Sequence, residues 1–202
     1  MALGQEARDG MAIEARQPNG ERYDFVALAL ATGDELERVM RMGSAPDLKG
    51  LSGFEFRGYN TLDITELFGF RKFKKGFYRA DTGRDPAMGI QGYNVVVEQN
   101  SLGNPWRDVL RGAAPIRHGY YEVSRVDLCE VDNRYPNAVL LDYGKGKNAP
   151  YNPVRLLRDY VVQVYSDNPD LLLGKAYVAL GPLRIFVSYF VLGREGRSGL
   201  PA

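Results

Sequence analysis

Residues 70–79, FRKFKKGFYR, set Arg71, Lys72, Lys74, Lys75 and Arg79 among Phe70, Phe73, Phe77 and Tyr78. Bases stack on rings while phosphates meet Lys or Arg, so this mixture is the composition of a single-stranded nucleic-acid platform. Read as a strand, the stretch puts Phe73, Lys75, Phe77 and Arg79 on one face and Lys72, Lys74, Gly76 and Tyr78 on the other. Charge then falls on both sides. The plainer reading is an edge or rim strand whose lysines block edge pairing and lay their stems over apolar surface. The whole chain carries 26 Lys plus Arg against 25 Asp plus Glu. With no global field to draw polyanions, no DNA partner is expected. Nucleic-acid or phosphate binding through residues 71–79 is kept as a minor alternative, and a basic rim attracting an anionic ligand lies between the two.

His118 is the only histidine, which excludes multi-histidine metal sites and a second imidazole for a proton shuttle. On a regular strand it shares a face with Tyr120, Glu122 and Ser124, and a histidine beside a carboxylate at a barrel mouth is placed for general-base work. The plainer role is a half-buried imidazole satisfied by a backbone carbonyl. No G-x-S-x-G elbow supplies a serine partner. Cys129 lies among acids in DLCEVD, which disfavours a thiolate. DYGKGKN, residues 142–148, alternates glycine with lysine but has neither the spacing nor the hydroxyl of a phosphate loop, and reads as a solvated turn. Trp106, after Pro105, reads as a buried anchor in a helical turn or lid. No metal site and no cofactor are expected.

The last two strand candidates hold the remaining polar candidates. In LLLGKAYVAL, Lys175 and Tyr177 share one face; in LRIFVSYFVL, Arg184, Phe186, Ser188 and Phe190 share one face and Ile185, Val187 and Tyr189 the other. Both segments are apolar on both sides, so both sides need cover, as in a closed barrel with helices packed outside. The inward face would then bound a mostly apolar cavity with a few polar groups. Arg57, Lys175, Tyr177, Arg184 and Tyr189, with His118 and Tyr120, are the candidates for ligand contact.

The elements that must position these residues follow from period and punctuation. Residues 1–22 are polar and broken by Gly10, Pro18, Asn19 and Gly20, and are expected to be a flexible tail. FVALALATGDELERVMRMG places Leu36, Val39 and Met40 at helical spacing, with Asp34 as cap and Gly43 as stop; SAPDLKGLSG repeats the signal with Ser44 as cap. From Phe54 the period changes to two. FEFRGYN, KFKKGFYR, GIQGYNVVVEQ, RHGYYEVSRVDL, NAVLLDY, RDYVVQVY, DLLLGKAYVAL and LRIFVSYFVL are strand candidates bounded by turn residues, with a helical insert in TLDITELFG. Long antiparallel strands joined by turn-length connections predict a mainly β fold, an up-and-down barrel of about eight strands with short N-terminal helices. The predicted organisation is one barrel domain over 23–193, with a second flexible tail over 194–202.

GFEFRG, residues 53–58, is similar to the G-x-W motif that opens lipocalin-like (calycin) barrels, and to the GXWXG pattern of a bacterial family of unknown function. Phe54 or Phe56 stands where those patterns carry tryptophan. The resemblance implies a cup for a small apolar molecule, and no catalytic residues transfer with it.

Residues 1–30 offer no leader pattern and a single cysteine excludes an internal disulfide, so a reducing, cytoplasmic setting is expected. The longest apolar windows are interrupted well before the ~20 residues of a membrane span, so no transmembrane segment is expected. The leading expectation is a binding protein for a small hydrophobic or lipid-like ligand, with or without an anionic group. The alternative is an isomerase or hydrolase on the same barrel, using Tyr and Arg or the His118 face. Oligomeric state is not legible.

Overall fold

The alternation that begins at Phe54 is carried through in the computed structural model, which describes residues 14–61, 71–79 and 89–200. Eight strands form a closed antiparallel barrel: β1 (Phe54–Asn60), β2 (Lys72–Arg79), β3 (Ile90–Val96), β6 (Arg117–Arg125), β7 (Val139–Asp142), β8 (Leu157–Tyr165), β9 (Asn168–Leu180) and β10 (Leu183–Arg197). Each pairs with its successor, and β10 returns to β1 from Phe54↔Arg197 to Asn60↔Phe190. The short pair β4 (Leu110–Arg111) and β5 (Ala114–Pro115) sits in the connection from β3 to β6. This is the eight-stranded up-and-down barrel that the strand pattern predicts. The insert expected in TLDITELFG lies, beyond Thr61, outside the described residues.

Among the described residues, three short helices precede β1. In α1 (Phe25–Leu30) the Asp24 carboxylate accepts from the Ala27 N–H, and α2 (Gly33–Met42) opens on a capping box between Thr32 and Glu35. The cap of α2 is thus Thr32 and not Asp34, because the capping oxygen must sit one residue before the first helical φ,ψ pair and reach the third. Gly43 ends it as expected. Asp47, not Ser44, caps α3 (Leu48–Leu51); the Ser44 backbone instead pairs with Gln163. Upstream, Ala15 is buried and its carbonyl accepts from Tyr165 Oη at 3.1 Å, while Arg22 pairs with Asp167.

Two apolar clusters divide the molecule at the barrel wall. Leu28, Leu36, Val39 and Met40 of α1 and α2 pack on the outer face of β8 to β10 through Tyr160, Val162, Leu173 and Val191. Inside lie Phe56, Phe77, Val123, Val161, Leu172 and Leu192, with Leu51 of α3 joining them. Four glycines stand directly opposite aromatic rings: Gly58↔Phe73, Gly76↔Tyr93, Gly92↔Tyr121 and Gly174↔Phe190. A Cβ on Gly92 would lie 2.1 Å from Tyr121 Cε2, and one on Gly174 2.0 Å from Phe190 Cζ. The ring occupies the volume a side chain would take and shields the bare backbone.

β2 departs most from expectation. It is flanked by β1 and β3 and is no edge. Its lysines are not solvated either: Lys72, Lys74 and Lys75 are 1%, 8% and 2% exposed. Lys72 Nζ donates to Asn100 Oδ1 (2.5 Å) and to the Ser101 and Asn104 carbonyls, 3.6 Å above the Trp106 ring. Lys74 pairs with Asp108 (2.8 Å) and Glu195 (3.4 Å). Barrel closure supplies neighbours on both sides, so each cation is captured by protein, and no lysine of this stretch is left for a phosphate. Trp106 is the buried anchor expected, its indole N–H donating to the Gly58 carbonyl (3.0 Å), though from irregular chain and not from a helical turn.

Candidate functional site

The inward side chains do not fill the barrel evenly. At the end where β1 starts, large apolar residues and Leu51 close the interior. Toward the other end, where the β9–β10 turn and the 3-10 helix η1 (Pro153–Leu156) lie, a cavity of about 470 Å³ remains. Phe73, Val154, Leu157, Ala176, Val187 and Phe190 supply its apolar wall. On β9 the small inward residue at this wall is Ala176, whereas the Phe190 ring fills the space over Gly174.

One part of the wall is polar. Lys75, on the face of β2 it shares with Phe73 and Phe77, meets Asp159 of β8, Tyr143 just after β7 and Asn94 of β3. Its Nζ donates to Asn94 Oδ1 (3.0 Å), Tyr143 Oη (2.6 Å) and Asp159 Oδ2 (3.0 Å). Tyr143 Oη donates to the same Asp159 oxygen at 2.9 Å, and Asn94 Nδ2 donates to the Gly119 carbonyl at 3.2 Å. The rings of Phe73, Tyr121, Tyr143 and Phe190 stand 5.0–5.4 Å from the ammonium. Burial drives the Lys75 pKa below the ordinary lysine value against the opposing pull of Asp159. Burial, and then the Asp159 charge, raises the Tyr143 phenol well above its own. Tyr143 therefore stays a neutral hydroxyl.

His118 is the sequence candidate that lines this cavity, at its solvent-exposed rim. Gly119 beside it has φ +56, which interrupts the pleat. Partial desolvation at this rim, and then Lys75, hold the imidazole below its usual pKa, so it is neutral at physiological pH. Tyr120 is half-buried, and its backbone N–H donates to Asn148 Oδ1 at 2.9 Å. Arg57 stacks over Phe25 (4.7 Å) and Trp106 (5.4 Å) beneath α1.

The other candidates assemble elsewhere. Lys175, Tyr177 and Tyr189 meet on the outer wall against α2: Lys175 Nζ reaches Glu37 Oε2 (2.7 Å) and Tyr135 Oη (2.8 Å), and Tyr189 Oη donates to Glu37 Oε2 at 2.8 Å. Burial opposes the charge on Glu37, but the bonds from Lys175, Tyr189 and Tyr135 outweigh it and hold the carboxyl below its ordinary pKa. Arg184 pairs with Asp132 at 2.5 Å, and Asp132 also takes Arg158 at 3.2 Å. These groups tie the helix and a loop to the barrel.

Sequence reasoning passed over Lys75, Asp159, Tyr143 and Asn94 as a group. A signal for two of them exists. Lys75 interrupts the Phe73 and Phe77 face, and Asp159 the face it shares with Val161, as charges in rows that must be buried. Among the described residues no group of three or more His, Cys, Asp or Glu side chains is placed to hold a metal, and no helix is long and apolar enough to cross a membrane. No protein-family model, curated protein or solved structure matches the chain.

Proposed function

We propose that this protein binds a small, predominantly apolar molecule inside its barrel, in the manner of lipocalin-like carriers, from a reducing cytoplasmic setting. The observation that carries this reading is the cavity of about 470 Å³, apolar over most of its wall and polar at the Lys75, Tyr143 and Asp159 cluster. Sites of a few hundred cubic ångströms with few convergent polar groups are the usual form of a small-molecule pocket. Phe54 or Phe56 stands where the lipocalin-like and GXWXG patterns carry tryptophan, and the reading is supported by Phe56 being inward and fully buried near the start of β1.

A solvatochromic apolar dye tests the reading. It is expected to bind the native protein with a blue shift, to be displaced by apolar competitors, and to be excluded by Ala176→Phe. Native mass spectrometry of the purified protein identifies any co-purifying molecule. Absence of dye binding by folded, empty protein would overturn the carrier reading.

A proton-transfer enzyme on the same barrel is the second reading, favoured by a neutral His118 and a neutral Tyr143 hydroxyl that both line the cavity. Turnover of a bound compound with a pH–rate break set by the histidine, lost in His118→Gln, would favour it over stoichiometric binding.

A further inference from the structure

An ammonium has three N–H groups to give. Two lysines line the cavity, and both have spent theirs on the protein. Lys75 donates to Asn94 Oδ1, Tyr143 Oη and Asp159 Oδ2. Lys72 donates to Asn100 Oδ1 and to the Ser101 and Asn104 carbonyls. Neighbouring neutral donors are engaged as well. The Tyr143 hydroxyl goes to Asp159, the Asn94 amide to Gly119 and Tyr143, and the Gln99 amide to the Lys72 and Val97 carbonyls. A ligand carboxylate at this wall would have to break one of these bonds to gain a charged donor.

Acceptor capacity, in contrast, is left over. Both bonds to the Asp159 carboxylate fall on Oδ2, from Lys75 and Tyr143. Oδ1 takes no hydrogen bond from any described residue, although a carboxylate oxygen has room for two. Asp159 lines the cavity, with a side chain 4% exposed. Lys75 and Asp159 also cancel each other's charge, so a charged ligand end beside them would lose its hydration without gaining a counter-ion, and Lys72, whose partners are neutral, keeps its charge but has no N–H left to give.

We propose that the cavity selects a neutral apolar molecule carrying a hydroxyl group, whose O–H donates to Asp159 Oδ1, over the carboxylate of the same skeleton. This rests on the cavity being the binding site. The test titrates the 202-residue chain near neutral pH, with a solvatochromic dye in the cavity, using decan-1-ol, decyl methyl ether, decanoate and decylamine. The ether keeps the oxygen and the chain but has no hydrogen to donate.

Decan-1-ol is expected to bind more tightly than the ether and decanoate by roughly tenfold or more, as a hydrogen bond to a charged acceptor implies. In the double variant Lys75→Met/Asp159→Leu the advantage of the alcohol over the ether is expected to disappear while the ether still binds. If that variant does not fold, the comparison of probes on the native protein decides alone. Equal affinity for alcohol and ether overturns the donor assignment. Decanoate or decylamine binding as tightly as the alcohol overturns the preference for a neutral ligand. Dye binding that none of the probes displaces overturns the hydroxyl proposal while leaving an interior site, whereas failure of dye and probes alike removes the carrier reading itself.

Discussion

Lys75 is 2% exposed, ringed by aromatic faces and bonded to Asp159, which is 3% exposed. Taking two ions out of water costs several kcal/mol each, and their attraction repays it only while both are present. Lys75→Met alone is therefore expected to destabilise the fold by about 3–5 kcal/mol, because it strands the Asp159 carboxylate. Lys75→Met/Asp159→Leu is expected to recover most of that loss. Urea unfolding of the two variants checks both values, and a double variant no better than the single one would show that the pair stabilises the barrel on its own account. The same logic applies to Lys72 and Lys74, whose neutralisation leaves the Asn100 to Asn104 carbonyl pocket and Asp108 without their partner.

At the level of elements, the barrel wall depends on glycines that make room for rings. Gly92→Ala puts a Cβ 2.1 Å from Tyr121 Cε2 and 2.6 Å from the Gly76 carbonyl oxygen, to which Tyr121 Oη donates. Overpacking of this kind costs about 1–3 kcal/mol, at the upper end here because backbone is involved. Gly196→Ala meets nothing within 4 Å and is expected to change stability by less than about 0.5 kcal/mol. Thermal unfolding of the pair measures the difference. The docking of α2 has a different signature, in pH. Glu37 has a folded pKa below the ordinary value, so its contribution is fully present above the unfolded value of about 4.3 and is lost as pH falls through the lower, folded one. Glu37→Gln is expected to cost roughly 1.5–3 kcal/mol at neutral pH. The gap to the native protein should close on acidification through that window. A gap that stays constant across the acid range would show that the carboxylate charge plays no part in holding the helix.

Over the whole molecule, closure and filling are separate achievements. The barrel closes through β1 and β10, yet only the end sealed by α3 and the inward Phe56, Phe77 and Leu192 is filled. A ligand that binds the folded state alone stabilises it, by about 2.7 kcal/mol at a hundred times its Kd. Titration with a bound alcohol is expected to raise Tm with concentration in the native protein. In Ala176→Phe, whose ring enters the cavity, the shift should vanish while the unliganded Tm is unchanged or higher. An Ala176→Phe protein that keeps the shift would place the ligand elsewhere.

The strands were legible because their signal is local: alternation of apolar and polar residues, long runs, and turn residues such as Gly181 and Pro182. Period two sorts residues into faces, as it did Lys75 with Phe73 and Phe77, and it carries no information on which face points in. That choice is made by closure. Lys75 meets Asp159 84 positions away and Tyr143 68 positions away only after β2, β7 and β8 have taken their places around the barrel. For β9 and β10, apolar on both sides, the choice was open in both directions. The packing of α2 drew Lys175, Tyr177 and Tyr189 outward, because Glu37 on that helix gave Lys175 and Tyr189 a partner, and Tyr135 gave one to Tyr177, that the interior did not. What the chain determined by itself were faces and their boundaries, which depend on neighbours one or two residues apart. The tertiary structure decided inside from outside, since burial is a relation among strands distant in sequence and a charge goes where its partner already stands.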